Sequence, residues 1–329
     1  MRVAIAAFTD TGELLGKQIA RGLSAAGHEI ALQERVKGGL SEWTRRAFLL
    51  DAVVFVGACG IAVRAIAPYV RDKFSDPAVV SVDELGRFAV PLLSGHVGGA
   101  NPLAREIAGL TGGTAVISTA TDLHGRFAVD VWAAGHGLVV FERERAKAVS
   151  MSLLEGKKVG FLSDFPVSGR LPEGLTDQKA ELGVHVTLDV RKNPFAQTLH
   201  LIPRTVTLGV GCRKGVDAQV FERVVCAALE AQGIPLCAVE RVASIRQKQE
   251  EGCILAFCEK YHLPFCCFDA KELQAVDGVF HRSAFVEQTV GVDNVCERAA
   301  AKFGTLLLPK QSRDGVTVAA SCRAPELDF

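Results

Sequence analysis

Two periodicities alternate along the first third of the chain. RVAIAAF and HEIALQE read as strands on either side of a helical stretch, Gly12 to Ala26, in which Leu14, Leu15, Ile19 and Leu23 recur at helical spacing. AVVFVGACG is an unbroken apolar run closed by glycine, as expected of a strand buried on both faces of a parallel sheet. A helix over Ile61 to Tyr69, strands AVVSVD and FAVPLLS, a helix from Gly99 to Leu110 and a strand TAVIST complete the series. The alternation predicts an α/β layered domain over residues 1–126, with ligands gathered at the carboxyl ends of its strands.

From Phe127 the pattern loosens. Two glycines flank His136, a charged helix runs from Glu142 to Leu154, KVGFLSD and VHVTLDV read as strands, and Pro194 and Pro203 bracket a linker from Asn193 to Arg204. These features predict a small middle domain and linker over 127–203. Residues 204–329 return to regular alternation. The strand TVTLGVG, helix Val216 to Gln232, strand LCAVER, helix Gln249 to Tyr261, strand PFCCFD, a helix around Val292 to Phe303, and strands TLLLP and GVTVAA follow in order. The expected fold class is α/β: two α/β layered domains with mainly parallel sheets, joined by a small α/β middle domain.

Hydrophobic residues make up 49% of the 329 and charged residues 22%, so the whole chain has the means to fold. Thirty-seven basic residues balance thirty-seven acidic ones. No global field therefore draws the protein to nucleic acid or an anionic membrane, and an anionic ligand must be met by a local cluster. The opening apolar run stops at Thr9-Asp10, too short for a secretory core, and the expected location is the cytoplasm. Ten cysteines, only one of them before residue 212, suit reduced thiols better than a disulfide scaffold. Cys253, Cys258 and His262 are the nearest thing to a metal-ligand set, but buried thiols are the plainer reading, so no protein-held metal is expected.

The passage PLLSGHVGGANPLA carries the most chemistry. A strand ends at Leu93, and Ser94, His96, Gly98 and Gly99 precede a helix, placing a hydroxyl, an imidazole and open backbone N–H groups beside a helix N-terminus. Such a loop binds anions or developing oxyanions, and the imidazole can move a proton. The alternative is a tight turn in which Asn101 caps the helix and His96 is only solvated. The pattern is not G-x-S-x-G, so a covalent serine is unsupported. Gly60 stands at another strand exit with Arg64 a turn beyond, and Arg64 and Lys73 are candidates to hold carboxylates. Thr121 and Asp122, in TATD, follow a further strand and either reach the same crevice or form a turn. In the last domain GVGCRKG joins a strand to a helix. Its glycine spacing departs from the dinucleotide fingerprint, and only Glu240 is a distant acidic candidate, so Gly211, Arg213 and Lys214 suit a carboxylate-bearing ligand better than NAD.

Taken together, GIAVRAIAPYV, DKFSDPAVV, DELGRFAVPLLSGHVGGAN and TATD, followed in order by GVGCRKG, ASIRQKQEE, VGVDNVCERAA and TVAA, resemble the cobalt-precorrin-5A hydrolase family of anaerobic cobalamin biosynthesis. The resemblance runs from Val54 to Ala320. Lys248 and Glu251 keep the family's places, whereas Arg246 stands where an acidic residue is favoured. The resemblance implies opening of a δ-lactone on the ring A acetate of a cobalt-bound contracted macrocycle, with release of the methylated former meso carbon as acetaldehyde. It implies no cofactor, because cobalt travels in the substrate, and neighbouring enzymes of the corrin pathway as possible partners. His96, Ser94 and Asp122 would then be the catalytic candidates. Gly60, Arg64, Lys73, Gly98, Gly99, Asn101, Thr121, Gly211, Arg213, Lys214, Lys248 and Glu251 would bind the substrate. A non-catalytic corrinoid carrier and an NAD-dependent reductase are the competing classes.

Overall fold

A computed structural model describes residues 1–72, 75–96, 98–118, 126–282, 288 and 291–329. They form two compact units, 1–131 and 132–329. The first is built from β1 (Arg2–Ala7), α1 (Asp10–Ala25), β2 (Glu29–Arg35), α2 (Leu40–Ala47), β3 (Ala52–Val56), α3 (Cys59–Ile66), β4 (Ala78–Val82), β5 (Phe88–Leu93), α4 (Ala100–Thr111) and β6 (Thr114–Ala115). Its sheet has the order β2-β1-β3-β4-β5-β6. β1, β3 and β4 are the apolar runs of the sequence. They are buried because helices cover both faces, with Ile19, Leu23 and Ile107 on one side and Trp43, Ala62 and Ile66 on the other. Leu14, expected on the buried stripe of α1, is 69% exposed.

β1 to β4 are mutually parallel, but β5 runs antiparallel to β4, pairing Val82 with Ala89 and Val79 with Leu93. Only Asp83–Arg87 separates the two strands, far short of the dozen residues that a parallel crossover needs. Asp83 fixes this hairpin by accepting the Leu85 and Phe88 amides at 3.0 and 2.6 Å, and Gly86 supplies the left-handed residue at φ 68°.

The second unit carries two sheets. The middle one has the order β7-β11-β10-β8-β9, from β7 (Leu138–Val140), β8 (Val159–Ser163), β9 (Leu175–Thr176), β10 (Leu182–Val186) and β11 (Gln197–Pro203). The expected linker from Asn193 to Arg204 is therefore corrected. Its QTLHLIP stretch is β11, an interior strand of that sheet with Leu199, Leu201 and Ile202 wholly buried. The bracketing prolines mark the strand's approach and its last residue. They do not mark a flexible joint.

The remaining residues form β12 (Val206–Cys212), α7 (Ala218–Glu230), β13 (Val239–Ile245), α8 (Gly252–Lys260), β14 (Phe265–Phe268), α9 (Ala270–Gln274), α10 (Val295–Ala301), β15 (Thr305–Arg313) and β16 (Val316–Cys322), following helices α5 (Val129–Gly135) and α6 (Arg143–Leu154). The sheet order is β14-β13-β12-β16-β15, with β12, β13 and β14 parallel and the last two strands antiparallel. The α10 backbone lies directly on β12 because position 209 has no side chain. A Cβ on Gly209 would stand 1.8 Å from the Cys296 carbonyl oxygen. Gly209→Ala is expected to destabilise the protein by about 3 kcal/mol, the upper end of overpacking costs, since backbone cannot rotate away. Thermal unfolding checks this, and an unchanged midpoint would show that α10 is free to lift.

Candidate functional site

PLLSGHVGGAN folds as a compact turn between β5 and α4. Ser94 adopts a left-handed backbone, φ 54°, and is buried, its Oγ donating to the Asp76 carbonyl at 2.9 Å. The turn closes on itself through the Ala100 amide to Ser94 O (3.1 Å), the Asn101 amide to Gly95 O (2.9 Å) and the Gly99 amide to His96 O (3.0 Å). Glycine is required where the turn is tightest. A Cβ on Gly98 would lie 2.3 Å from Ser94 Cβ, and one on Gly95 would lie 2.8 Å from Asn101 Oδ1. Ser94 and the buried Asn101 thus shape the loop, and the Ser94 hydroxyl is engaged by the Asp76 carbonyl. The Gly99 amide, expected as an oxyanion donor, is spent inside the turn, whereas the Gly98 amide has no partner among the described residues.

His96 stands out from this turn with its side chain one-fifth exposed, and its Nδ1 lies 3.9 Å from Asp130 Oδ1, a carboxylate only 12% exposed. That is ion-pair distance for a protonated ring. Asp130 sits on α5, where a short irregular segment carries no periodic signal, and the sequence reading did not single it out. Asp122, Thr121 and Lys73 lie outside the described residues.

Because β5 is reversed, its carboxyl end lies at the amino edge of β1, β3 and β4. Gly99 accordingly lies against Met1, and Ser94 reaches the residue that precedes β4 by two. The expectation that this loop opens at the carboxyl edge is overturned by the hairpin. Gly60 and Arg64 do occupy that carboxyl edge, at the first turns of α3, where the Arg64 guanidinium lies beside Gly60. Strands of five residues at about 3.3 Å each put some 17 Å, roughly, between the two edges. His96 and Arg64 do not form one cluster.

The C-terminal loop meets its expectation better. GVGCRKG ends β12 at the carboxyl edge shared with β13 and β14. Position 211 must be small because a Cβ there would be 2.7 Å from Thr317 Oγ1, whose hydroxyl donates to Gly211 O at 3.3 Å. The Gly215 amide donates to Glu251 Oε1 at 2.9 Å and the Lys248 ammonium to Glu251 Oε2 at 2.7 Å. The Lys248 ammonium, with the Gly215 amide behind it, holds the Glu251 carboxyl below the usual carboxylate range. Glu251 therefore braces the loop.

Above this brace opens a cavity of about 550 Å³ lined by Gly211, Cys212, Arg213, Lys214, Lys248 and Lys310, among others. Four cationic side chains face it and none of its lining residues is acidic. Lys310, which the sequence reading missed, arrives on the antiparallel strand β15 from the far end of the domain.

The protein is of the α/β class, with a histidine-bearing glycine turn on one sheet and a cationic cavity lined from another. Comparison with known proteins narrows this. The family described as Cobalamin synthesis G N-terminal matches residues 42–122, Cobalamin biosynthesis central region 127–203 and Cobalamin synthesis G C-terminus 206–321. The Cobalt-precorrin-5A hydrolase of Salmonella typhimurium is 34% identical over 297 residues, covering 85% of each chain. That of Priestia megaterium is 28% identical over 82% of this chain and 78% of its own. A solved cobalamin biosynthesis protein G homologue from Sulfolobus solfataricus aligns at a TM-score of 0.45 and 20% identity over 98% of this chain and 97% of that one. The chain belongs to the cobalt-precorrin-5A hydrolase family.

Proposed function

We propose that this protein is a cobalt-precorrin-5A hydrolase, with His96 as its general base. The pairing of His96 with Asp130 at the glycine turn supports this most strongly. An imidazole backed by a carboxylate can take a proton from water as the water attacks the lactone carbonyl, and the Gly98 amide can receive the oxyanion that forms. Water adds across the acyl–oxygen bond, leaving a carboxylate and an alcohol. When the alcohol loses its proton and its carbon–carbon bond to the macrocycle breaks, the electron pair stays with the macrocycle and the two-carbon fragment leaves as acetaldehyde. Cobalt remains bound in the substrate throughout.

The substrate's carboxylates match the cationic cavity, where Arg213, Lys214, Lys248 and Lys310 offer charge-assisted hydrogen bonds. Incubation with cobalt-precorrin-5A should release acetaldehyde in step with a change in the corrinoid spectrum. Binding with a spectral shift and no acetaldehyde would make the protein a carrier. Arg213→Ala and Lys214→Ala are each expected to weaken substrate binding by about 1.5–3 kcal/mol, or roughly 10- to 150-fold, and added salt should erode what remains. Titrations indistinguishable from wild type would move the anion site elsewhere.

A further inference from the structure

We propose that Cys212, Cys253 and Glu251 form a binding site for a divalent transition-metal ion with affinity for thiolates, at the wall of the cationic cavity. Cys212 ends β12 and lines that cavity, Cys253 lies in the first turn of α8, and Glu251 caps the same helix. The two sulfur atoms are 3.6 Å apart, and with a Glu251 oxygen all three donor atoms lie within 4.8 Å of one another. A tetrahedral ion with metal–sulfur bonds of about 2.3 Å holds its sulfurs about 3.8 Å apart. The observed spacing meets this without backbone movement, whereas a disulfide would need the sulfurs to close to about 2.05 Å.

Three further features fit. Glu251 already receives a cation, the Lys248 ammonium at 2.7 Å, and a metal ion would take that place while the lysine turns to the cavity. Three protein ligands leave a fourth position for water or a ligand carboxylate on the side where Cys212 meets the cavity. Two thiolates and a carboxylate around a dication leave one net negative charge, which the surrounding Arg213, Lys214, Lys248 and Lys310 favour. Cysteine ligates a metal as the thiolate, so binding displaces the thiol protons and affinity climbs with pH. The ligand set differs from the Cys253, Cys258 and His262 grouping that the sequence suggested. Among the described residues only Cys253 of those three joins it.

The test is titration of the full chain with Co²⁺ in oxygen-free buffer, with the thiols kept reduced by a phosphine. Thiolate-to-cobalt absorption should saturate at one equivalent, disappear on adding Zn²⁺, and show two protons released per ion. Cys212→Ser and Cys253→Ala should each weaken binding at least about 100-fold and Glu251→Gln about 10-fold, ligand losses being no milder than the loss of their supporting partners. Cys212 is half-buried at a strand end, so its variant stays informative if Cys253→Ala fails to fold. No thiolate-to-cobalt band, or a band that survives unchanged in folded Cys212→Ser, overturns the assignment.

Discussion

His96→Ala is expected to lower acetaldehyde release by about 100- to 10,000-fold, the usual contribution of a positioned general base, while substrate binding and the melting temperature stay near wild type. The fold should survive because the turn is closed by backbone bonds from Gly99, Ala100 and Asn101 and by the Ser94 hydroxyl. The imidazole takes no part in those closing bonds, so its removal leaves the turn itself intact. Asp130→Asn keeps the shape and removes the charge 3.9 Å from the ring, so it should reduce turnover by a smaller factor without weakening substrate binding. Acetaldehyde release within a few-fold of wild type in His96→Ala would move the base to another group, Asp122 first. A variant that is inactive and also melts early would reduce the histidine to a structural role.

The elements were legible where one periodicity ran long enough to bury a face. AVVFV and AVVSV became the interior strands β3 and β4 because five consecutive apolar or small residues leave no face for water. What misled the reading was connection length. AVVSVDELGRFAVPLLS reads as two further strands of a mainly parallel domain, whereas DELGR is a hairpin loop with glycine at its left-handed position. The hairpin puts the histidine turn on the edge of the sheet opposite to the one that a parallel β5 would give it. QTLHLIP was missed for a similar reason, since prolines at its margins outweighed a buried apolar strand. Asp130 and Lys310 had no local signal at all. Each reaches its place through tertiary pairing, as do the two thiols of Cys212 and Cys253, whose separation along the chain matches no short ligand motif.

Glu297→Ala is expected to cost the C-terminal domain about 2–4 kcal/mol, because it strands the amide donors gathered around a buried carboxylate, at about 1–3 kcal/mol for each left unpaired. The Glu297 side chain is wholly inaccessible, yet its two oxygens accept from the His281 amide, His281 Nδ1, Asn294 Nδ2 and the Lys310 amide, each at 2.7 Å. Burial alone would raise its pKa. The Lys310 and His281 amides and the His281 ring outweigh that, and the carboxyl is held below its ordinary value of 4.5. A depressed folded-state pKa stabilises fully above the unfolded value and is lost as pH falls through the folded one, so this network supports the fold at neutral pH and fails in acid below about 4.5. Glu297→Gln keeps the volume, leaves an NH₂ facing donors, and should remove the acid dependence along with part of the stability. Asn294 and Lys310 line the cationic cavity, so both variants should also weaken binding of a carboxylate-rich ligand under conditions where they remain folded. Urea unfolding as a function of pH, with ligand titration at neutral pH, decides the matter. Wild-type stability in Glu297→Ala, or an acid limb that persists undiminished in Glu297→Gln, would show that these donors find other partners.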